Sequence, residues 1–160
     1  MKVKFVEKDN LHISLKFLGD LNSKEIEKTL NILQNISTKY QHFIIGLSEN
    51  VGIFPDNSRP RVIWVGIEKG NDIVSNIHQS IEKELRSEPF FQKENKFRAH
   101  ITMARLKNLK YPHKLNDYIK NIKINPVTDF VKTIELMESQ LTTGGPIYKT
   151  INSFPLLIQT

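Results

Sequence analysis

The chain has 160 residues, 39% of them hydrophobic and 25% charged, the balance of an ordinary globular protein rather than a disordered one. It has no cysteine, which excludes a disulfide framework and thiolate zinc sites and suits a reducing compartment; with no signal-like or membrane-spanning stretch, the expected address is the cytoplasm and no membrane partner is expected. The 23 Lys and Arg against 17 Asp and Glu leave a net charge of +6, which favours anionic partners such as nucleic acid or nucleotides.

Residues 3–6 form a short apolar run, closed by the polar cluster Glu7-Lys8-Asp9-Asn10. Residues 11–19, Leu-His-Ile-Ser-Leu-Lys-Phe-Leu-Gly, read as a β-strand that stops at Gly19-Asp20. Asn22 followed by Glu25 has the pattern of a capping box. Ile26, Leu30, Leu33, Ile36 and Tyr40 then recur at helical spacing. Residues 43–54 are strand-rich, and the loop Pro55-Asp56-Asn57-Ser58-Arg59-Pro60 breaks them. Residues 61–67 are apolar on both faces and read as a central strand. Ile73, Ile77, Ile81 and Leu85 mark a second helix over 72–87. A loop over 89–96 leads into a second strand, 99–105, which reads Ala-His-Ile-Thr-Met-Ala-Arg. Pro112 opens a third helix in its first-turn position, carried by Leu115, Tyr118, Ile119 and Ile122 and stopped by Pro126. Residues 130–141 are strand-like, 143–146 form a turn, and the last strand runs from 147 to about 154.

The order motif strand, helix, strand, proline-bearing loop, strand occurs twice, over nearly equal lengths. This predicts an α+β fold of two pseudo-symmetric lobes, with the two motif strands facing each other across a central cleft. The whole chain, 1–160, is then one bilobal domain. The second motif strand is preceded by a strand and a helix, whereas eleven residues precede His12. A strand and helix are therefore expected to be missing at the N-terminus, leaving apolar side chains exposed on that lobe.

Both motif strands carry a histidine, an aliphatic residue and a hydroxyl residue. In a strand, positions i and i+2 share a face, so His12 stands beside Ser14 and His100 beside Thr102. Histidine titrates near neutral pH. A neutral and a protonated histidine make a general base and a general acid, which is what displacement at a phosphodiester needs. Ser14 and Thr102 can donate hydrogen bonds to phosphate oxygens that gain charge. One His-x-Ser alone is weak evidence; two at equivalent places in a repeat are harder to dismiss. A zinc site is the rival reading, but zinc takes three or more protein ligands. Neither strand offers a carboxylate or second histidine at i+2, so no metal and no cofactor are expected.

Among the cations, Lys16 falls on the strand face of His12. Arg105 lies three residues after Thr102 and needs a bulge or strand end to join its face. Arg61 opens the central strand, Tyr148 begins the matching strand of the second lobe, and Arg59 ranks below these as a phosphate ligand. Trp64, Phe54, Phe17 and Phe97 read as core. His42 reads as a turn residue, His78 as the flank of a core, and His113 as solvated.

The sequence resembles the 2H phosphoesterases, and more closely their RNA 2′,3′-cyclic phosphodiesterase (2′-5′ RNA ligase) branch. The resemblance is carried by His12-Ile13-Ser14, His100-Ile101-Thr102, Arg59-Pro60-Arg61-Val62-Ile63-Trp64 and Gly145-Pro146-Ile147-Tyr148. It implies a bilobal α+β fold of antiparallel sheets with outer helices. It implies metal-independent opening of RNA 2′,3′-cyclic phosphate ends to 2′-phosphates, tRNA fragments among the substrates, by a monomer. In some members the reverse reaction joins ends through a 2′-5′ linkage. His100 would then activate water and His12 protonate the leaving 3′ oxygen, the roles exchanging in ligation. Rival readings are a 2H enzyme acting on a small cyclic phosphate such as an ADP-ribose derivative, and a non-catalytic RNA-binding module.

Overall fold

Alternating apolar runs and capped amphipathic stretches give the following order of elements. The structure, a computed structural model, describes residues 2–56, 58–94, 96–107, 112–142 and 145–158. It contains β1 (Lys2–Phe5), a 3₁₀ turn (Lys8–Asn10), α1 (Ser23–Ser37), β2 (Phe43–Phe54), β3 (Val62–Ile67) and α2 (Asn71–Leu85). There follow β4 (His100–Lys107), α3 (Pro112–Lys120), β5 (Thr128–Val131), β6 (Thr133–Thr142) and β7 (Gly145–Pro155). The fold is α+β, built on antiparallel strand pairs. No helix among the described residues is long and apolar enough to cross a membrane.

The chain divides into two units, 1–15 with 44–72 and 98–129, and 16–43 with 73–97 and 130–160. The first is built on a five-stranded sheet in the order β1-β4-β3-β2-β5. β3 is a central strand, as its two-faced apolar pattern predicts. On one face of the sheet Leu106, Leu115 and Ile119 form a core, with Val3, Val51, Ile53 and Ile63 packed against it. Leu115 and Ile119 come from α3, at i and i+4 on one side of the helix. The reading of His113 as solvated, and part of the turn expected over 143–146, lie outside the described residues.

In the second unit α1 starts in a full capping box. The Asn22 side chain accepts from the backbone N–H of Lys24 and Glu25, and Glu25 Oε2 accepts from Asn22 N at 2.8 Å. These bonds satisfy donors that the first helical turn cannot pair internally. The helix packs on β6 and β7, with Leu33 and Ile36 buried on its side and Ile134, Leu136 and Phe154 on the strands. α2 buries Val74, Ile77, Ile81 and Leu85, with Val74 rather than Ile73 beginning the apolar stripe. The stretch expected as one strand over 130–141 is split at Lys132, whose carbonyl accepts from Leu156 N, so β5 joins the large sheet and β6 pairs with β7.

Three further sequence expectations are corrected. Residues 11–19 are not a strand: they touch the sheet through a single antiparallel bridge, Ile13 opposite Ile101. β1 already occupies the β4 edge up to Ala104; the chain leaves in the 3₁₀ turn and returns at Ile13. The repeat assigns one motif to each lobe, yet both motif segments belong to the first unit. Phe17, read as core, is 72% exposed, while the side chain of its neighbour Lys16 is buried.

Candidate active site

The register of β4 decides which side chains meet. Trp64 lies opposite Thr102 and Gly66 opposite His100, so His100 and Thr102 share the sheet face of Trp64 and Gly66. The pairing then steps from Trp64–Thr102 to Ile63–Ala104, which leaves Met103 as an extra residue in β4. This is a β-bulge, and it reverses the alternation. Arg105, opposite Val62, thereby returns to the face of His100 and Thr102. The bulge that Arg105 needs is present.

The first motif is set by the Ile13–Ile101 bridge. Directly opposed residues point to the same side, so these two isoleucines turn away from the histidine face. Antiparallel register then brings His12 across from Thr102, and Ser14 across from His100. Each imidazole is thus placed beside the hydroxyl of the other motif.

The histidines are anchored alike. His12 Nδ1 lies 2.7 Å from the carbonyl oxygen of Asn10, and His100 Nδ1 2.7 Å from that of Arg98. A carbonyl oxygen only accepts, so Nδ1 carries the proton in both rings.

Their surroundings differ. His12 is exposed, whereas His100 is half-buried against two aromatic rings. Phe54 meets it edge-on at 5.0 Å and Trp64 at 5.8 Å between ring centroids, and Phe54 and Trp64 stack at 4.8 Å. The Arg98 guanidinium lies 5.2 Å over the indole. The indole also lies flat over Gly52, where a Cβ would come within 2.2 Å of Trp64 Cζ2. Phe54 and Trp64, read from sequence as core, also lie against His100; the signal available was their spacing two residues from Gly52 and Gly66, which leaves room beside large rings on one strand face.

The remaining candidates separate. Arg61 is in register with Leu106, whose N–H donates to its carbonyl, one step out of phase with Val62 and Trp64. Strand alternation puts it with Ile63, on the face opposite His100. Arg59 lies in a turn organised by Asp56, which accepts from the Ser58 hydroxyl and from the backbone of Arg59 and Ser58, bonds that hold its carboxyl below the usual value. Lys16 does not belong with His12. Its side chain is 5% exposed in the second unit, and its ammonium contacts Glu82 Oε1 and the Gln92 carbonyl, with the Phe91 ring 5.1 Å away. With residues 11–19 not a strand, the expected alternation from His12 to Lys16 does not operate. Tyr148 lies on β7 opposite Ser139, also in the second unit.

One described cluster has metal-ligand chemistry. His78, Glu82 and Glu94 offer ligand atoms within 4.8 Å of one another. His78 is buried and stacked on Phe97 at 4.0 Å. The Lys16 ammonium already supplies a cation to Glu82 there, and the cluster belongs to the second unit, whereas both motifs belong to the first.

The chain matches the family described as LigT-like phosphoesterase over residues 1–64 and 65–148. It belongs to that family. It is 34% identical to the RNA 2′,3′-cyclic phosphodiesterase of Aquifex aeolicus over 96% of this chain and 81% of that protein. The protein of the same name from Methanocaldococcus jannaschii is 35% identical, over 95% of this chain and 84% of its own length. Among solved structures, TT0787 of Thermus thermophilus has the same fold, with a TM-score of 0.74 and 22% identity over 99% of this chain and 84% of that one. E. coli LigT complexed with 3′-AMP follows, with a TM-score of 0.71 and 21% identity over 96% of this chain and 80% of that one. This LigT-like phosphoesterase carries its second histidine motif on β4 and its first on a segment bridged to β4 at Ile13.

Proposed function

We propose that the chain hydrolyses RNA 2′,3′-cyclic phosphate ends to 2′-phosphates without a metal ion. The observation that carries this is the pair of imidazoles, each anchored through Nδ1 to the carbonyl two residues earlier and each beside the other motif's hydroxyl. The names of the relatives, RNA 2′,3′-cyclic phosphodiesterases at 34% and 35% identity, support the substrate. His100 Nε2 takes a proton from water, whose oxygen bonds to phosphorus. The P–O3′ bond breaks, and His12 gives its proton to O3′. Ser14, Thr102 and Arg105 hold the non-bridging oxygens as they gain charge. With the 5′-hydroxyl of a second RNA end in place of water, the same steps form a 2′-5′ linkage: His100 takes the proton of that hydroxyl, its oxygen bonds to phosphorus, the P–O3′ bond breaks and His12 protonates O3′. In this reading the protein acts as a monomer in the cytoplasm on broken RNA such as tRNA fragments.

The test is an oligonucleotide ending in 2′,3′-cyclic phosphate, incubated with the protein in excess chelator. A 2′-phosphate product is expected. No turnover, or turnover that returns when zinc is added, overturns the proposal. Faster turnover of a cyclic-phosphate ADP-ribose derivative would move the substrate to small molecules.

A further inference from the structure

Beyond the bulge, the histidine face of β4 does not end. It continues through Arg105 to Lys107, two residues on along the strand. β1 lies antiparallel beside it, with Lys4 directly opposite Arg105. This rung of the edge pair thus sets cation against cation, and Lys107 adds a further cation on the same face of β4. Like charges directly opposite each other in a sheet are unfavourable, so the arrangement fits a surface that meets an anion. Arg105 and Lys107 are exposed, and no ion pair joins either to a carboxylate among the described residues.

From this register we infer a binding track for polynucleotide phosphates along β1 and β4, leading away from the two histidines. It rests on the proposed cyclic phosphodiesterase reading. Rungs on one face of a strand recur about every 6.6 Å, a spacing on which successive backbone phosphates of an extended strand can be carried. A 2′,3′-cyclic phosphate closes the 3′ end of RNA, so any chain attached to it runs only in the 5′ direction. With the cyclic end between His12 and His100 and its phosphate held by Arg105, the upstream nucleotides pass over Lys4 and then over Lys107. The substrate class is therefore an oligonucleotide of several residues rather than a mononucleotide.

The experiment compares a dinucleotide and a hexanucleotide, each ending in 2′,3′-cyclic phosphate, as substrates of the whole protein. The wild type is expected to prefer the hexanucleotide by at least about tenfold in kcat/KM. The double variant Lys4→Gln, Lys107→Gln is expected to lose most of that preference. In parallel, binding of a hexanucleotide ending in 2′-phosphate is followed by fluorescence anisotropy against salt. Removing two phosphate contacts should flatten the slope of log affinity on log salt by about 1.4, at about 0.7 per contact on single strands. Equal use of both lengths by the wild type, or a variant that keeps the preference and the slope, overturns the track. Binding that depends on length and on Lys4 and Lys107, with no hydrolysis of the cyclic end, would instead overturn the catalytic reading and leave the track standing.

Discussion

Gly52→Ala should damage this protein out of proportion to its size. The new Cβ would stand 2.2 Å from Trp64 Cζ2 and 2.3 Å from Cε2, so the indole must move. Those atoms belong to a ring that is 9% exposed, stacked on Phe54 and placed against His100, so there is little room to yield. Overpacking of this kind costs about 1–3 kcal/mol. For a chain of this length each kcal/mol lowers the melting temperature by about 2–4 °C, so a fall of about 2–12 °C is expected. The activity loss should be larger. Displacing a catalytic group by about 1 Å can cost about a hundredfold, and His100 loses two of its ring neighbours if the indole tilts. Gly66→Ala is the control on the same face: its Cβ would meet Trp64 Cζ3 at 3.5 Å and Ser48 Cβ at 3.6 Å, ordinary contacts. Thermal melts and kcat on a cyclic-phosphate dinucleotide should separate the two variants. If Gly52→Ala melts and turns over like Gly66→Ala, the indole does not hold His100 in place.

His12→Ala and His100→Ala should each lower kcat by at least about a hundredfold, and the wild-type rate should be bell-shaped in pH, because one ring must be neutral and the other charged; a folded variant with near-normal turnover contradicts the acid–base pair. Arg105→Ala should raise KM for cyclic-phosphate RNA well above the effect of Arg61→Ala or Arg59→Ala, since register puts Arg105 alone of the three on the histidine face; equal effects in steady-state kinetics would displace the phosphate site. Lys16→Met should destabilise by about 3–5 kcal/mol in urea melts, because it strands Glu82 in a 13% exposed position, with little change in KM; a KM defect without lost stability would return Lys16 to the substrate site. Asn22→Ala should cost about 1 kcal/mol of stability through the lost cap and leave kcat intact.

What the sequence discloses here is local. The box at Asn22 and Glu25, the stripes of α1 and α2 and the two-faced strand β3 follow from spacing alone, because each is decided by neighbours within a few residues. The catalytic candidates were legible for the same reason: a histidine two positions from a hydroxyl is visible without a partner. Arg105 marks the limit of such local signals. Its distance from Thr102 posed the question of a bulge, and the register between β3 and β4 answers it. Lys16 misled, because alternation was carried along a stretch that bridges the sheet once and then leaves it. The equal spacing of the repeat likewise did not carry over to the placing of one motif in each unit, since pairing with the edge of β4 brings the first motif to the second. Contacts between distant segments, such as Gly52 beneath Trp64, have no trace in composition or period.

The anchoring of both imidazoles to main-chain carbonyls has a consequence for how this protein can change over time. The groups that fix the tautomers belong to Asn10 and Arg98, but their side chains take no part in those bonds. Any residue that keeps the local backbone supplies the same oxygen, so substitution at either position leaves the proton on Nδ1. Length is another matter. One residue inserted between the carbonyl and its histidine, or one removed, would rotate the ring off its acceptor in a way that no replacement side chain restores. Drift at Asn10 and Arg98 is therefore tolerated in letters, while the count of residues up to each histidine is fixed, the reverse of what holds in an exposed loop.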